Sequence, residues 1–576
     1  MIELTREQAK FADRIGIFSV RACPGSGKTV AIAARFAAKI QSWSRTNQGI
    51  VALSFTNVAK NEIELTLARE FPVEIPVQYP HYIGTIDSFI DRFIFLPFGH
   101  LVMSCAKRPE FIGPPHDDRE PIGEWMYWSS AGCNQNGCRL NEFSFGLNGE
   151  LICTNPKSHF DNCTSNHNVC RIKKAHLAKQ GFATQTDANY FAMRILEDFP
   201  VVGAALAYRF PSVMLDEAQD ASDVQMRIMD LLVEGGCGDM ALVGDPDQAI
   251  YEWRRACPSV FASKCCDGQG LKEVMQESWR SSQNICDFYA RVSSLPSAPK
   301  AINPKHASYP FKPEVWAIDG EGYASVVDRF VDLCREHGVN SLTDIAVLCR
   351  SRELVNRLTG TTQTQVTLDP WKERTSKNMA LSKFLFDQGK FVDGYRLLER
   401  TVYQTINKND MSDAITMRET IRSFGVTKWR IMVTGLMTAL PCTTNIKIRD
   451  WLVSANSVLL AHIPNLELQM KRDRNPNVYS ALTFGEVFSV PQRVCTQHYT
   501  LGTVHSAKGE TYLAVLLISK HKAANGHKYA TVLNGEIADN EELRTIYVAI
   551  TRPRRILVLA VPREDVVVWR NKFGLY

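Results

Sequence analysis

The chain has 576 residues, of which 45% are hydrophobic and 22% are charged. These ordinary globular values exclude a protein that is disordered, collagenous or coiled-coil as a whole. At about 100–200 residues per domain, the length predicts roughly three to five structural units. The 66 Lys and Arg residues exceed the 61 Asp and Glu residues by five. This mildly basic balance permits a polyanionic partner without requiring one.

No targeting segment is visible in the sequence. The first residues, MIELTRE, carry acids and lack a basic segment followed by an apolar core. The longest charge-free apolar run, residues 93–106, is too short for a bilayer and contains Pro97 and Gly99. We therefore expect a cytoplasmic protein without a membrane partner.

Short apolar segments alternate with helical segments along much of the chain. Residues 15–20 and 50–55 are predicted strands. Each is followed by a predicted helix, at residues 30–40 and 59–70. Near-continuous apolar strands that alternate with helices indicate an α/β fold with parallel sheets covered on both faces. Further predicted strands lie at residues 213–215, 240–243, 344–348, 514–518 and 556–560.

Two breaks in this pattern indicate two α/β domains, each interrupted by an insertion. One break is rich in Cys, Asn, Gly and Trp, and the other has five prolines between residues 293 and 313, which indicate an inter-domain linker. A mostly helical segment follows later, for example over residues 380–402. The predicted organisation is a first α/β domain over 1–100 and 185–292, a Cys-rich insertion over 101–184, a second α/β domain over 293–369 and 491–576, and a helical insertion over 370–490.

A glycine-rich turn joins the first predicted strand to the first predicted helix. Residues 22–29 read ACPGSGKT, which fits the phosphate-loop pattern GxxxxGKT except that Ala22 replaces the first Gly. Small residues let backbone N–H groups close around phosphate oxygens at a helix N-terminus. Lys28 is predicted to contact the β- and γ-phosphates and Thr29 to bind Mg²⁺, whereas a plain Gly turn is the alternative. The small residues of the loop are Gly25, Ser26 and Gly27.

Two acidic residues follow the predicted strand at 213–215. Asp216 is predicted to hold Mg²⁺ through water, and Glu217 to orient or deprotonate the attacking water as a general base. The alternative is a pair of acids that merely caps a strand end, and the phosphate loop upstream makes that alternative less favoured.

The phosphate loop and the segment DEAQD at residues 216–220 together resemble superfamily 1A helicases of the UvrD/Rep/PcrA type. Further motifs follow in the order of that family and span residues 8–555. The resemblance implies two RecA-like parallel-sheet P-loop NTPase domains that use ATP and Mg²⁺. It also implies a DNA helicase or translocase that moves 3′→5′ on single-stranded or partly duplex DNA.

The resemblance assigns further residues to the nucleotide. Gln8 corresponds to an adenine-reading element, since a Gln amide can pair with the N6/N7 edge of adenine. Arg552 corresponds to an arginine finger, whose charge stabilises the transferring phosphoryl group. The other implied contacts are Gln248 and Arg280 to the γ-phosphate, Trp279 to adenine and Glu510 to the ribose.

The same resemblance implies a set of DNA contacts. Aromatic rings such as Tyr251 and Trp253 can stack on any base, at about 1–3 kcal/mol each, although core packing is the alternative for both. Two departures from the family are Asp87, where many members have His, and Arg255, where Gly is usual. The implied DNA-binding residues are Phe55, Asn57, Thr85, Tyr251, Trp253 and His505.

Five residues of the Cys-rich insertion have the chemistry of zinc ligands. Their spacing lacks a clean CxxC pair, so a set of reduced structural thiols is the alternative. The candidate ligands are Cys133, Cys138, Cys163, His167 and Cys170. Four basic residues nearby either contact the DNA backbone or form a solvated helix face: Arg171, Lys173, Lys174 and Lys179.

Two other functions stay open at this stage. Residues 84–89, GTIDSF, and 503–509, TVHSAKG, also resemble the helicase subunit of Gabija-type bacterial anti-phage systems. That resemblance implies an ATPase that senses DNA ends or nucleotides and regulates a separate nuclease subunit. An RNA-directed motor is less favoured, because the segment at 251–254 is typical of the DNA branch of the family. The last motif lies close to Tyr576, so we expect a complete motor with no fused nuclease.

Overall fold

The chain forms two compact units in the computed structural model. The first comprises Met1–Arg119, Trp128–Thr359 and Arg493–Tyr576, and the second comprises Glu120–Tyr127 and Gly360–Gln492. The described residues are 3–75, 77–112, 127–128, 138–139, 143–153, 174–251, 256–267, 270–271, 273–318, 322–358, 370–407, 414–463, 466–471, 479, 481–488, 493–495, 499–520, 522–523 and 526–575.

A six-stranded sheet surrounds the strand that leads into the phosphate loop. Its order is β6-β1-β5-β4-β2-β3, and every neighbouring pair is parallel. Because parallel strands share one carboxyl edge, the segments that follow them meet at that edge. The strands are β1 (Ile17–Ala22), β2 (Ile50–Ser54), β3 (Tyr82–Thr85), β4 (Ser212–Leu215), β5 (Asp239–Gly244) and β6 (Val274–Met275).

A second six-stranded sheet belongs to the same unit. Its order is β7-β12-β11-β8-β10-β9, and only the edge pair of β9 and β10 is antiparallel. The strands are β7 (Glu314–Ile318), β8 (Ile345–Cys349), β9 (Arg493–Cys495), β10 (Thr500–Thr503), β11 (Tyr512–Ile518) and β12 (Pro553–Pro562). The α/β class with parallel sheets is therefore confirmed.

The strands of the first sheet separate two hydrophobic cores. Ile50 and Ala52 of β2 face one core, whereas Val51 and Leu53 face the other. Such alternation buries both faces of a strand, which explains why the sequence reads as a continuous apolar run. The helices of this unit are Arg6–Asp13, Lys28–Gln41, Asn57–Glu70, Ile86–Ile90, Leu96–Phe98, His100–Met103, Gln185–Asp198, Pro200–Arg209, Asp223–Glu234, Pro258–Cys265, Gln283–Ala290, Tyr323–Glu336, Arg352–Leu358, Tyr529–Asn534, Glu541–Ile550 and Val566–Phe573, with a π-helical turn at Asp91–Phe95.

The proline-rich segment 293–313 connects the two sheets along the chain. It contains one short strand, Lys300–Ala301, which pairs in parallel with Glu277–Ser278. Other short strands outside the two large sheets are Glu110–Phe111, Tyr127–Trp128, Cys138–Arg139, Phe143–Phe145, Leu151–Cys153, Phe182–Ala183, Cys266–Asp267 and Gly270–Leu271.

The second unit is helical where the structure describes it. The single helix predicted over 380–402 is wrong, because Gly389 interrupts it with a φ of +81°. The Gly389 N–H donates to the carbonyl of Phe386, and the Lys390 N–H donates to that of Leu385, so the first helix ends in a left-handed cap. The helices are Arg374–Asp387, Phe391–Asn407, Ala414–Phe424, Val426–Ala439, Ile448–His462 and Phe484–Phe488. Within the described ranges, no helix of the chain has the length and apolarity needed to cross a membrane.

Lys174 corrects both interpretations given to the basic cluster near the Cys-rich insertion. Its side chain is buried, with Nζ 2.5 Å from a carboxylate oxygen of Asp187. Asp187 also takes part in the capping box that starts the helix Gln185–Asp198. Lys174 is therefore a buried ion-pair residue rather than a DNA contact or part of a solvated face.

We predict that Lys174→Met lowers the stability of the first unit, because it leaves the buried carboxylate of Asp187 without its cation. Breaking such a pair costs about 3–5 kcal/mol. The control is Arg194→Met, which breaks an exposed pair with Asp198 and costs about 1 kcal/mol or less. Thermal unfolding followed by circular dichroism measures both variants, and equal midpoint shifts would contradict the prediction.

Candidate functional site

The phosphate loop lies at the carboxyl end of β1 and is built on two left-handed glycines. Gly25 has a φ of +78° and Gly27 a φ of +74°. A Cβ on Gly25 would lie 2.5 Å from Cβ of Arg280, and one on Gly27 would lie 2.5 Å from Nε2 of Gln8. Only glycine therefore fits both positions. Ser26 is buried and its Oγ has no hydrogen-bond partner, which leaves it available to a phosphate oxygen.

The predicted metal-binding pair is assembled from two elements. Thr29, at the start of the helix Lys28–Gln41, has its Oγ1 3.1 Å from Oδ2 of Asp216, which follows β4. The residues that the structure describes include no cluster of three or more His, Cys, Asp and Glu side chains able to hold a metal. Mg²⁺ in nucleotide sites needs fewer protein ligands, because phosphate oxygens and water complete its octahedral shell. The hydroxyl and carboxylate therefore fit this ion.

Glu217 has a strained backbone beside this pair. Its φ of +52° lies in the left-handed region, which is uncommon for a residue other than glycine. Its carboxylate accepts a 2.5 Å hydrogen bond from Nε2 of Gln219. Burial opposes ionisation, but the charges of Lys28 and Lys508 lie near enough to reverse that effect and lower the pKa of Glu217. The side chain is therefore an anion at neutral pH.

Asp216 titrates in the opposite direction. It is completely buried, and burial together with the negative charge of Glu217 raises the pKa of its carboxyl group. Lys28 and the hydrogen bond from Thr29 counteract part of this effect. A carboxylate that is costly to hold as a free anion is well suited to a cation neighbour.

Three predicted γ-phosphate residues come together from the two sheets. Nη2 of Arg552, which precedes β12, donates a 2.8 Å hydrogen bond to Oε1 of Gln248. Nη1 of Arg280 donates to the carbonyl oxygen of Thr551 at 3.1 Å. Burial and the charge of Arg280 lower the pKa of Arg552 to about 9, so its guanidinium is still cationic at neutral pH. Two cations and an amide thus converge beside the phosphate loop.

The predicted adenine and ribose residues surround the same loop. Gln8 donates through Nε2 to the carbonyl of Ser26 at 2.8 Å and accepts through Oε1 from the Thr5 N–H at 3.0 Å. Both polar ends of its amide are therefore engaged, and an adenine contact requires an exchange of these bonds. Trp279 is 38% exposed, and its N–H donates to the carbonyl of Gly25. The carbonyl of Glu510 accepts from Nη1 of Arg552 at 3.4 Å.

Several predicted DNA-binding residues form an aromatic group near the nucleotide site. The rings of Phe55 and Tyr251 stack with centroids 5.9 Å apart, and the His505 ring lies 6.4 Å from that of Tyr251. Nζ of Lys508 lies 4.5 Å from the Tyr251 ring centroid and 2.6 Å from Oδ2 of Asp220. Lys508 therefore contacts both the aromatic group and the segment after β4.

The remaining DNA-binding candidates differ in how available they are. Asn57 is exposed at the start of the helix Asn57–Glu70. The Thr85 hydroxyl caps the helix that follows β3 by accepting the N–H of Ser88. Asp87 is held by its neighbours, since its Oδ1 accepts from Gln225 at 2.7 Å and from Asn189 at 3.1 Å. Trp253 and Arg255 lie outside the described residues, as do the side chains of Cys133, Cys138, Cys163, His167 and Cys170.

Four residues of this region were missed in the sequence. Asp220 and Lys508 stand inside recognised motifs, and their partnership depends on a contact between residues 288 positions apart. Arg21 is the single charge in the apolar segment 17–22, a signal that could have found it. Asp247 had no such signal, because its partners are distant in sequence.

Comparisons with known proteins agree with this geometry. Residues 4–101 and 153–267 match the family model of the UvrD/REP helicase N-terminal domain. One relative is an ATP-dependent helicase/nuclease component of Streptococcus sanguinis (strain SK36). It is 37% identical over 106 residues, which is 18% of this chain and 8% of that protein. The component with the same name from Streptococcus thermophilus (strain ATCC BAA-491 / LMD-9) is 36% identical over 107 residues, which is 18% of this chain and 9% of that protein.

Another relative is "Exonuclease/helicase subunit RexA" of Streptococcus pneumoniae serotype 4 (strain ATCC BAA-334 / TIGR4). It is 35% identical over 104 residues, which is 17% of this chain and 8% of that protein. The matched stretch therefore spans less than a tenth of the length of these curated relatives. The resemblance to superfamily 1A helicases of the UvrD/Rep/PcrA type is confirmed.

We predict that His505 stays neutral in the folded protein down to about pH 4. Burial and the cations Arg350 and Lys508 lower its pKa from 6.5 to about 4, against the opposing charge of Glu542. The unfolded chain therefore takes up a proton between about pH 6.5 and 4 that the folded chain does not, and stability falls as the pH falls through this window. Thermal unfolding across this range should show a shallower loss for His505→Gln, and parallel curves would contradict the assignment.

Proposed function

We propose that this chain, which resembles UvrD/REP helicases, is an ATP-dependent DNA helicase or translocase that moves 3′→5′ on single-stranded DNA and couples ATP hydrolysis to duplex unwinding. The observation that supports it best is the hydrogen bond between Arg552 and Gln248, which joins the two sheets beside the phosphate loop. A site completed by both sheets makes nucleotide hydrolysis sensitive to their relative position.

The phosphate loop and the residues after β4 supply the ground-state binding and the base. Lys28 and the loop N–H groups hold the β- and γ-phosphates. Mg²⁺ bound by Thr29 and Asp216 supplies positive charge to the phosphate oxygens. Glu217, an anion with its carboxylate fixed by Gln219, orients the attacking water and takes its proton.

Arg280 and Arg552 supply the charge that the transition state needs. As the bond to the leaving oxygen breaks, negative charge develops on the transferring phosphoryl group, and two buried guanidiniums stabilise it. Gln248 links this charge to the first sheet, since its Nε2 donates to Asp245 at 2.7 Å while its Oε1 accepts from Arg552. Trp279 stacks on adenine, and Gln8 and Glu510 complete the nucleoside contacts.

Single-stranded DNA is proposed to cross the carboxyl edges of the strands. Phe55 and Tyr251 offer ring faces to bases without reading sequence, and Asn57, Thr85, Trp253 and His505 complete the set. Lys508 contacts the Tyr251 ring and Asp220 together, so nucleotide state and DNA grip are linked through one side chain.

The two sheets are proposed to be the cores of two RecA-like domains, with the boundaries predicted from the sequence. ATP draws the domains together and hydrolysis lets them part, so that DNA contacts alternate between them. The helical insertion over 370–490 and the Cys-rich insertion over 101–184 decorate this motor. Zinc binding in the latter stays a prediction.

A second candidate function is an ATPase that senses DNA ends or nucleotides and regulates a separate nuclease. It is favoured by the names of the relatives, which describe components of helicase/nuclease and exonuclease/helicase enzymes. Membership in a Gabija-type anti-phage system and a cytoplasmic location stay predictions. High ATPase activity that ignores DNA would favour this function over the motor.

We predict that single-stranded DNA stimulates ATP hydrolysis by the purified chain and that Lys28→Ala and Glu217→Gln each reduce the stimulated rate at least about 100-fold. The first variant removes the phosphate charge, and the second removes the base. Steady-state phosphate release with and without DNA measures both. Glu150→Gln, an exposed acid just before the strand Leu151–Cys153, is the matched control and should keep the wild-type rate.

Tailed duplexes complete this experiment. The active protein should unwind a duplex with a 3′ single-stranded tail at least about tenfold faster than one with a 5′ tail. Equal rates on both would contradict the proposed direction, and hydrolysis without unwinding would limit the activity to translocation or sensing.

We predict that Tyr251→Ala weakens binding of single-stranded DNA by about 1–3 kcal/mol, because one base loses its stacking surface. Fluorescence anisotropy with a labelled oligothymidine measures the change. The control is Tyr208→Ala, which removes an exposed ring from the helix Pro200–Arg209. Identical affinities for the two variants would remove Tyr251 from the DNA site.

A further inference from the structure

Arg21 is a buried cation at the end of an apolar strand. It is 5% exposed and lies beside Gly244 in the register of β1 and β5. Its Nη2 is 2.7 Å from Oδ2 of Asp247 and 3.8 Å from Oδ1 of Asp245. A buried ion pair is weak evidence for stability, because well-packed apolar residues often stabilise as much. The position of this pair therefore calls for another explanation.

The Asp247 carboxylate joins three segments of the chain. Its Oδ2 accepts hydrogen bonds from Arg21 at 2.7 Å, from Oγ of Ser293 at 2.7 Å and from the N–H of Ser294 at 2.8 Å. Its Oδ1 accepts from Oγ of Ser294 at 2.6 Å. Ser293 and Ser294 open the proline-rich segment that runs to the second sheet. One carboxylate thus fixes the start of this crossing against β1.

The same guanidinium also lies next to the γ-phosphate residues. Asp245, 3.8 Å from Arg21, accepts from Nε2 of Gln248 at 2.7 Å, and Gln248 accepts from Arg552 at 2.8 Å. A continuous polar chain therefore runs from β1 to Arg552. Nη1 of Arg21 adds a bond to the carbonyl of Ser294 at 3.2 Å. The crossing and the γ-phosphate residues share one buried cation.

We propose that Arg21 and Asp247 are positioning residues that hold Gln248 and Arg552 in the arrangement needed for phosphoryl transfer, by fixing the loop after β5 and the start of the crossing segment against β1. The inference rests on the proposed function and adds two residues to its machinery. Neither residue needs to touch the nucleotide. Their loss is expected to affect the transition state more than ATP binding, because Gln248 and Arg552 act on the charge that develops during transfer.

The test compares Asp247→Asn with a matched variant at the opposite end of the same strand. Asp239 begins β5, is also buried, and pairs with Arg35 at 2.6 Å. Asp247→Asn should reduce the DNA-stimulated kcat at least about tenfold, with the KM for ATP within about threefold of wild type. Asp239→Asn should lower the thermal-unfolding midpoint but keep kcat within about twofold.

Arg21→Lys is the second variant and guards against a folding defect in Asp247→Asn. It keeps the charge but lacks the planar fork that bonds Asp247 and Ser294 together, so kcat should fall by about threefold or more at a midpoint near that of wild type. Wild-type kcat in both variants, beside an active parent protein, overturns this inference alone. A parent protein without DNA-stimulated hydrolysis overturns the proposed function and this inference with it.

Discussion

The parallel register of the first sheet is the constraint on which the site depends. Because β1, β4 and β5 run side by side in one direction, the segments that follow them emerge at one edge. Lys28, Asp216 and Gln248 are separated by long stretches of sequence, yet each follows one of these strands. The apolar faces that hold the sheet together thereby fix the spacing of polar groups that never pack in the core.

This edge concentrates buried charge that the rest of the unit avoids. Asp216 and Arg552 are almost entirely buried, and Glu217 holds an unfavourable backbone angle. Each feature is costly alone, and each becomes intelligible as part of a set in which opposite charges and amides satisfy one another. Lys508 and Arg552 come from the side of the second sheet, so neither sheet by itself holds a balanced site.

Much of the fold and of the site could be predicted from the sequence because both are written locally. The apolar runs around residues 17–22 and 50–54 and the glycines of the phosphate loop signal their structure within a few residues. What could not be predicted depends on distant contacts. Lys174 looks like a surface cation until Asp187 is placed beside it, and Gln8 looks free until Ser26 accepts its amide. The break at Gly389 was readable, since glycine destabilises a helix interior.

The stacked pair of Phe55 and Tyr251 has a consequence for the protein before any strand arrives. Each ring covers an apolar face of the other, so the pair acts as a placeholder for a base. An incoming nucleotide has to compete with an aromatic contact worth about 0.5–1.5 kcal/mol, which lowers the affinity for a strand. In return, the empty groove presents less bare aromatic surface to water, and the tendency of such patches to associate with one another is reduced.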